Sequence, residues 1–382
     1  MAFKLRGAVA LAGYALTAAG LAYTAAEVVG MRRFRNRSAR PVQSQPPVTI
    51  LKPLHGDEPQ LYENLRSFCK QSYPRYQVIF GSRDERDPAL EVARRLVREF
   101  PDVDICVVAG GPAPHCANPK VENLQGMIGQ VKHGILVIVD SDIRVGADYL
   151  SAVAGAFADP NTGAATCLYA GVPGGGTVTE LGAAVVNEHF MPSVLVAMMI
   201  EPLTYCFGAT MAVRRDVLDT IGGLAALGAH IADDFMLGKL VSEAGFSVAL
   251  CPYIVRMTVA DSALESLWLH HVRWQRTVLA ARPRGFAGSL VTYNLPLAAI
   301  SAVLSQTPIA GAMLAAAVAL RVMVHDEARK TFAPGVELSP WLIPVADAFA
   351  FATWLGAFFA KDVTWRGERF TVAPGGRLEM SS

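Results

Sequence analysis

Three groups of residues have the types and spacing to do chemistry. Asp140-Ser141-Asp142 follows directly on the apolar run ILVIV at positions 135–139. In an extended segment, residues two apart face the same way, so both carboxylates can reach one divalent cation or the ligands around it. Two charges leaving so apolar a strand belong at its open end, because burying them unpaired costs too much. The second group is His230-Ile231-Ala232-Asp233-Asp234-Phe235, an acidic pair and a histidine where an apolar-periodic helix starts. One acid suffices to cap or charge-balance that start; we assign the cap to Asp233 and chemistry to Asp234. The third group lies in LWLHHVRWQRTVL, where His270, Arg273 and Trp274 stand three and four apart on one helical face. That face suits an anion and an aromatic contact, and equally a bed of lipid head groups.

Two single residues join these groups. Asp84 follows the strand-like YQVIFG and is either a site carboxylate or a turn residue of the polar DERD loop. Lys120, after Asn118-Pro119, is either a cation near phosphates or a surface lysine.

The elements that must position these residues alternate. Strand patterns at 48–54, 76–81, 103–109 and 135–139 are separated by helical patterns at 61–71, 88–100 and 122–133. Such alternation predicts an α/β layer domain with a largely parallel sheet, whose strand ends carry the ligands. Further short strands are expected at 166–169 and 207–213. No P-loop or G-x-G-x-x-G fingerprint is present.

Composition supplies the setting. Of 382 residues 52% are hydrophobic and 18% charged, with a net charge of +1, and the excess apolar content is local. Residues 9–29 are long enough to span a bilayer, and Arg32, Arg33, Arg35, Arg37 and Arg40 follow. By the positive-inside rule that cluster stays cytoplasmic. We expect a transmembrane helix over 1–30, a basic, Pro-rich linker over 31–47 and a cytoplasmic catalytic domain over 48–285. Helices near 185–200 and 265–281 are expected at the membrane interface, the first of them equally readable as a buried helix. A transmembrane region over 286–360 follows, crossing once at 289–324 and again at 341–359, then a cytoplasmic tail over 361–382. Arg321, Asp326, Glu327, Arg329 and Lys330 mark a polar connection between those crossings. The six cysteines lack metal-ligand spacing and should be reduced. Nothing resembles a nucleic-acid-binding stripe, and the apolar spans carry almost no paired ionisable residues, which disfavours a transporter.

The segments ILKPLHG, YQVIFGSRDERDPA, ANPKVENL, VIVDSDIRV, CFGATMAVRR, HIADDFMLGKLV and HHVRWQR together resemble the membrane-bound members of glycosyltransferase family 2. The closer resemblance is to family 21, the ceramide glucosyltransferase group, and its bacterial relatives associated with hopanoid biosynthesis. It covers roughly residues 47–283. The resemblance implies a GT-A fold, a Rossmann-like nucleotide-diphospho-sugar transferase domain, with N- and C-terminal transmembrane helices. It implies that Asp84 contacts the uracil or ribose of the donor, and that Asp140 and Asp142 surround a Mg²⁺ or Mn²⁺ ion and the UDP phosphates. Asp142 is the main metal-ligand candidate. Asp234 looks like the catalytic base, with His270, Arg273 and Trp274 as the motif that helps hold donor and acceptor. His270 departs from the family, which usually carries Gln or Arg there. The reaction so implied is inverting transfer from a UDP-sugar to a membrane-lipid hydroxyl. N-acetylglucosamine onto a polyhydroxylated hopanoid is the leading expectation and glucose onto ceramide the alternative. The setting is the bacterial inner membrane, with the catalytic domain facing the cytoplasm.

Overall fold

The apolar run at the centre of the sequence forms β4 (Ile135–Ile138), all four residues buried. The computed structural model describes residues 2–37, 45–336, 338–360, 362–365, 368–372 and 375–380. Two units emerge: Ser38–Tyr169 with Leu203–Thr258 and Gly367–Ser382, and Met1–Arg37 with Ala170–Pro202 and Val259–Arg366.

In the first unit β4 pairs in parallel with β1 (Val48–Pro53), β1 with β2 (Tyr76–Ser82), and β2 with β3 (Asp104–Ala109). Helices α2 (Leu61–Phe68), α3 (Ala89–Glu99) and α4 (Pro119–Met127) connect these strands. The order β3-β2-β1-β4 is the expected parallel half. Beyond β4 the sheet reverses: β7 (Met211–Arg214) pairs antiparallel with β4, and β6 (Thr162–Pro173) antiparallel with β7. β8 (Ser247–Val259) and the two-residue β5 (Ile143–Arg144), also antiparallel, complete eight strands. The sheet is thus mixed rather than largely parallel.

Two expected strands change. The one at 166–169 extends to the twelve residues of β6. The one at 207–213 shrinks to β7, because Phe207 bridges to Thr210 and makes FGAT a turn. Thr166 clamps that turn, accepting from the Phe207 N–H (2.9 Å) and donating to the Thr210 carbonyl (2.6 Å). Helices α5 (Tyr149–Gly155), α8 (Arg215–Thr220) and α9 (Asp233–Glu243) complete this unit. The tail contributes antiparallel strands Glu368–Val372 and Leu378–Met380. Gly376 accepts from the Ile231 N–H at 3.0 Å and Arg377 bridges His230. Lys361 and Arg366 of the expected tail, and residues 38–44 of the expected linker, lie outside the described residues.

The second unit is helical: α1 (Ala2–Arg35), α6 (Thr177–Val185), α7 (Met191–Ile200), α10 (Leu264–Ala281), α11 (Pro283–Gly288), α12 (Asn294–Ser305), α13 (Pro308–Thr331) and α14 (Ile343–Ala357). Small residues on α1 admit close neighbours, since a Cβ on Gly13 would meet Ser301 at 2.8 Å and one on Gly20 would meet Asn294 at 2.9 Å. Tyr14 bonds Thr307 at 2.6 Å, while Arg32 and Arg35 pair with Glu327 at 3.0 and 2.7 Å. α13 therefore runs parallel to α1 and α12 antiparallel to it. Gln306, in the left-handed region, and the N-cap Thr307 join them. Residues 289–324 thus fold back on themselves as a helical hairpin.

Among the described residues, Thr177–Ile200 and Pro308–Thr331 are long and apolar enough to cross a membrane; a third such span arises if Pro283–Thr292 and Asn294–Ser305, bent by 65°, count as one. The expected first span lies within α1, whose first side chains fall outside the described residues. The span expected at 341–359 is a 15-residue helix, about 22 Å long against a hydrocarbon core of about 30 Å.

Arg321 is not part of a polar connection. It is 2% exposed inside this unit, where its guanidinium bonds both Asp347 oxygens (2.7–3.1 Å) and the Glu188 carbonyl (3.0 Å). His189 bonds Asp347 at 2.5 Å and His325 bonds Glu188 at 2.7 Å. The apolar helices thus do hold paired ionisable residues, contrary to the sequence reading. Glu188 and His189 sit in a π-helical turn, Val186–Phe190, which rotates them together into the cluster.

In the first unit Gly238 is where α9 meets chain 205–206. A Cβ there would lie 2.3 Å from Tyr205 Cα, whereas one on Gly129 would meet nothing. Gly238→Ala should destabilise the protein by about 3 kcal/mol, at the upper end of the usual overpacking cost because the clash is with backbone. Gly129→Ala should leave the stability within about 0.5 kcal/mol of the parent. Thermal unfolding of both variants in detergent checks the pair.

Candidate active site

The site is built where β4 ends. Asp140 emerges beside Lys120, whose ammonium lies 2.8 Å from Asp140 Oδ1 and 3.1 Å from Asp233 Oδ2. Lys120 is 4% exposed, so it is no surface residue, and its charge is already committed to two carboxylates rather than left for phosphates. Its position follows from ANPK. Asn118 caps α4, its Oδ1 accepting from the Lys120 and Val121 N–H groups (2.9 and 3.1 Å) with Pro119 in the first turn. The same side chain donates to the His230 carbonyl at 2.8 Å, tying α4 to the loop that leads into Asp233 and Asp234. Burial acts to lower the Lys120 pKa, but Asp140 and Asp233 outweigh it and raise it.

The expected division of labour between the two acids of α9 changes. Asp233 pairs with Lys120 instead of capping, and Ala232 holds the N-cap position without a side-chain bond. Asp234 Oδ1 accepts from the Phe235 N–H (2.7 Å) and Oδ2 from the Gly208 N–H (2.9 Å). Burial, then the neighbouring Asp233, raise its pKa to about 6 against the pull of Lys120. A partly buried carboxylate so tuned is suited to take a proton near neutrality. His230 contributes backbone to the loop; burial, then Arg377, lower its pKa.

Gly208 holds these groups at their spacing. A Cβ there would lie 2.9 Å from Asp140 Oδ2 and 3.6 Å from Asp234 Oδ2. The sequence reading passed over it, although a glycine in a turn between an apolar strand and an acidic helix start was the available signal. It also passed over Lys52, which is fully buried on β1 and donates to the Asp140 carbonyl. Asp142 stands beyond Asp140, its Oδ1 buried without a hydrogen-bond partner. Burial, then Asp140 and Glu58, push Asp142 up to about 7, while burial lowers Lys52 to about 7.

An orphaned carboxylate oxygen fits a hard divalent cation, which takes oxygen ligands. Asp142 is therefore the residue here that suits a metal, whereas Asp140 is engaged by Lys120. Among the described residues no group of three His, Cys, Asp or Glu side chains could hold an ion by itself. A cation here would take its other ligands from diphosphate and water, as Mg²⁺ and its analogues do in nucleotide sites.

Asp84 lies in an open cleft of about 280 Å³ lined by Arg83, Asp84, Gly110, Gly111, Ala113 and Glu122. Its Oδ1 accepts from the Arg86 N–H at 2.9 Å, so the turn role and the cleft position hold together. The structural acid of DERD is Asp87, 7% exposed, which accepts from the Gly56 N–H, the Ser82 hydroxyl and the Ala89 N–H. His270, Arg273 and Trp274 belong to α10 in the helical unit. The rings of His270 and Trp274 meet at 4.4 Å, and His270 Nδ1 bonds Asp261 at 2.8 Å, which fixes the ring's orientation.

With this geometry in hand, comparison with known proteins is specific. Residues 12–378 match the family described as glycosyl transferase family 21. Ceramide glucosyltransferase 1 of Caenorhabditis elegans is 23% identical over 91% of this chain and 76% of its own length. Ceramide glucosyltransferase 3 of the same organism is 24% identical over 63% of this chain, which spans about half of that relative's length (52%). The ceramide glucosyltransferase of Komagataella phaffii is 36% identical over 32% of this chain and 25% of its own. Among solved structures, a mannosyltransferase from Pyrobaculum calidifontis in complex with GDP-Man and Mn²⁺ superposes with a TM-score of 0.54 at 18% identity, over 92% of this chain and 99% of that one. That likeness is one of fold, and it is the expected GT-A fold. The chain therefore belongs to glycosyl transferase family 21.

Proposed function

We propose that this protein transfers a sugar from a UDP-sugar to the hydroxyl of a membrane lipid with inversion at the anomeric carbon. The observation that carries the reading is the acidic cluster at the strand mouth, where Asp140 and Asp234 flank Gly208 and Asp142 keeps an uncommitted oxygen. Asp84 in its cleft binds the uridine end of the donor. Asp142, with Asp140 held by Lys120, faces the diphosphate; a divalent cation there supplies charge stabilisation to the leaving group. Arg273, with His270 and Trp274, helps hold donor and acceptor. Asp234 takes the proton of the acceptor hydroxyl as it attacks the face of the sugar opposite UDP, giving a β-glycoside from an α-linked donor. The long apolar helices keep the enzyme at the bilayer, which we read as a bacterial inner membrane with the catalytic unit cytoplasmic.

The matching relatives are named ceramide glucosyltransferases, which supports UDP-glucose and ceramide as the substrate pair. The wording of VIVDSDIRV, CFGATMAVRR and HIADDFMLGKLV resembles the bacterial hopanoid-associated group, which supports UDP-N-acetylglucosamine and a polyhydroxylated hopanoid as the second. Solubilised enzyme offered each donor with each lipid, read by product mass, separates them. Hexose on ceramide establishes the first and N-acetylhexosamine on hopanoid the second; no glycolipid from any combination refutes both.

Asp234→Asn should lower kcat by about 10²–10⁴-fold while donor affinity stays near the parent value; near-normal turnover would remove Asp234 as base. Because the base acts ionised and its pKa is raised to about 6, kcat/KM should climb with pH through that value and level off above it. A pH–rate profile checks this. The tail strands share a unit with the sheet, so the C-terminus should lie on the catalytic side. A tag after Ser382 should be cleaved by protease in inside-out vesicles and protected in right-side-out ones, and the reverse pattern would overturn this orientation.

A further inference from the structure

The fully buried Lys52 is explained by neither the fold nor the assigned chemistry. On β1 it shares a face with Ile50 and Val48, two and four residues away, in a central strand whose six residues are all buried. An ammonium is costly in that position unless it is paired. Its partners are specific: it donates to the Asp140 carbonyl, stands over the Phe68 ring at 4.1 Å, and has Asp142, Asp140 and Glu58 as its neighbouring negative charges. Lys120 meanwhile binds the side chain of the same Asp140. Asp140 is thus gripped twice, by its backbone from beneath and by its carboxylate from the side. Asp142, two residues on, receives no direct bond to its buried Oδ1.

We propose that Lys52 is a positioning residue for donor binding, whose ammonium pins the turn of the Asp140-Ser141-Asp142 segment through the Asp140 carbonyl and balances Asp142, so that the free carboxylate oxygen is held ready for a cation and a diphosphate. The proposal rests on the UDP-sugar reading of the site. Lys52 has no exposed surface and touches no substrate; it acts through Asp140 and Asp142. A purely structural lysine would hold β1 to β4 and affect only the stability of the protein.

The test uses the full chain in detergent, with Mn²⁺ binding in the presence of UDP followed by the electron paramagnetic resonance of free Mn²⁺, and thermal unfolding run in parallel. Lys52→Met should weaken Mn²⁺–UDP binding about tenfold, in the range seen when partners of metal ligands are removed. Lys52→Gln retains a donor without the charge and serves as the second variant if Met does not fold; it should also weaken binding. In an Asp142→Asn background the same Lys52 change should add less than roughly twofold, because the two act as one unit. Parent-like binding in the Lys52 variants, with or without a lowered thermal midpoint, overturns the proposal. So does an equal loss in both backgrounds. Absence of Mn²⁺-dependent UDP binding in the parent would overturn the functional reading itself, which separates the two failures.

Discussion

The ammonium of Lys120, held between Asp140 and Asp233, is the interaction on which the site depends. Asp140 ends a strand and Asp233 starts a helix some ninety residues later in sequence, and without the lysine each would be a carboxylate facing another at short range. Removing one partner of a buried ion pair typically costs about 3–5 kcal/mol, because the remaining charge is stranded. The lysine itself is placed by Asn118, which caps α4 and also reaches the His230 carbonyl. One capped helix start therefore sets the distance between the two acidic groups. Gly208 fills the gap that results, and its lack of a side chain lets both Asp140 and Asp234 approach the same backbone.

The site so assembled divides its charge unevenly. Asp140 and Asp233 are neutralised, which leaves Asp142 and Asp234 as the groups with chemistry to offer. Asp234 has two backbone donors and a raised pKa; Asp142 has an oxygen without a donor. The proposed roles, one carboxylate to accept a proton and one to accept a cation, call for these different surroundings, and both arise from one pattern of pairing. The helical unit repeats the principle at a distance from water. Arg321 is matched by Asp347 and Glu188, and that matching lets charged side chains lie among apolar helices.

Much of the catalytic unit was legible in the chain. The parallel strands β1 to β4 carry continuous apolar runs, and a buried parallel strand has no other way to read. The acids at their ends were legible for the same reason, since a charge that follows such a run must leave the core. The antiparallel half was less so. β7 is four residues long, and the turn before it has the composition of a strand; only the Thr166 clamp makes it turn. Lys52 was hidden because a lysine inside a strand pattern reads as an outward-facing residue until both faces of that strand are seen to be covered. The hairpin of α12 and α13 was hidden because the apolar content of residues 289–324 is the same for one helix or two. What decides is the pairing of Tyr14 with Thr307 and of Arg32 and Arg35 with Glu327.

By itself the sequence determined the α/β class and which acids stand at strand and helix ends, because each depends on local pattern: strand period, apolar run, acids at fixed offsets; the family came from its resemblance to known proteins. The tertiary structure alone decided which carboxylates are free. Asp140 and Asp142 are alike in sequence, as are Asp233 and Asp234, and no spacing rule separates the members of either pair. One buried lysine, Lys120, does, since its ammonium lies 2.8 Å from Asp140 and 3.1 Å from Asp233, which commits one member of each pair and leaves its neighbour available.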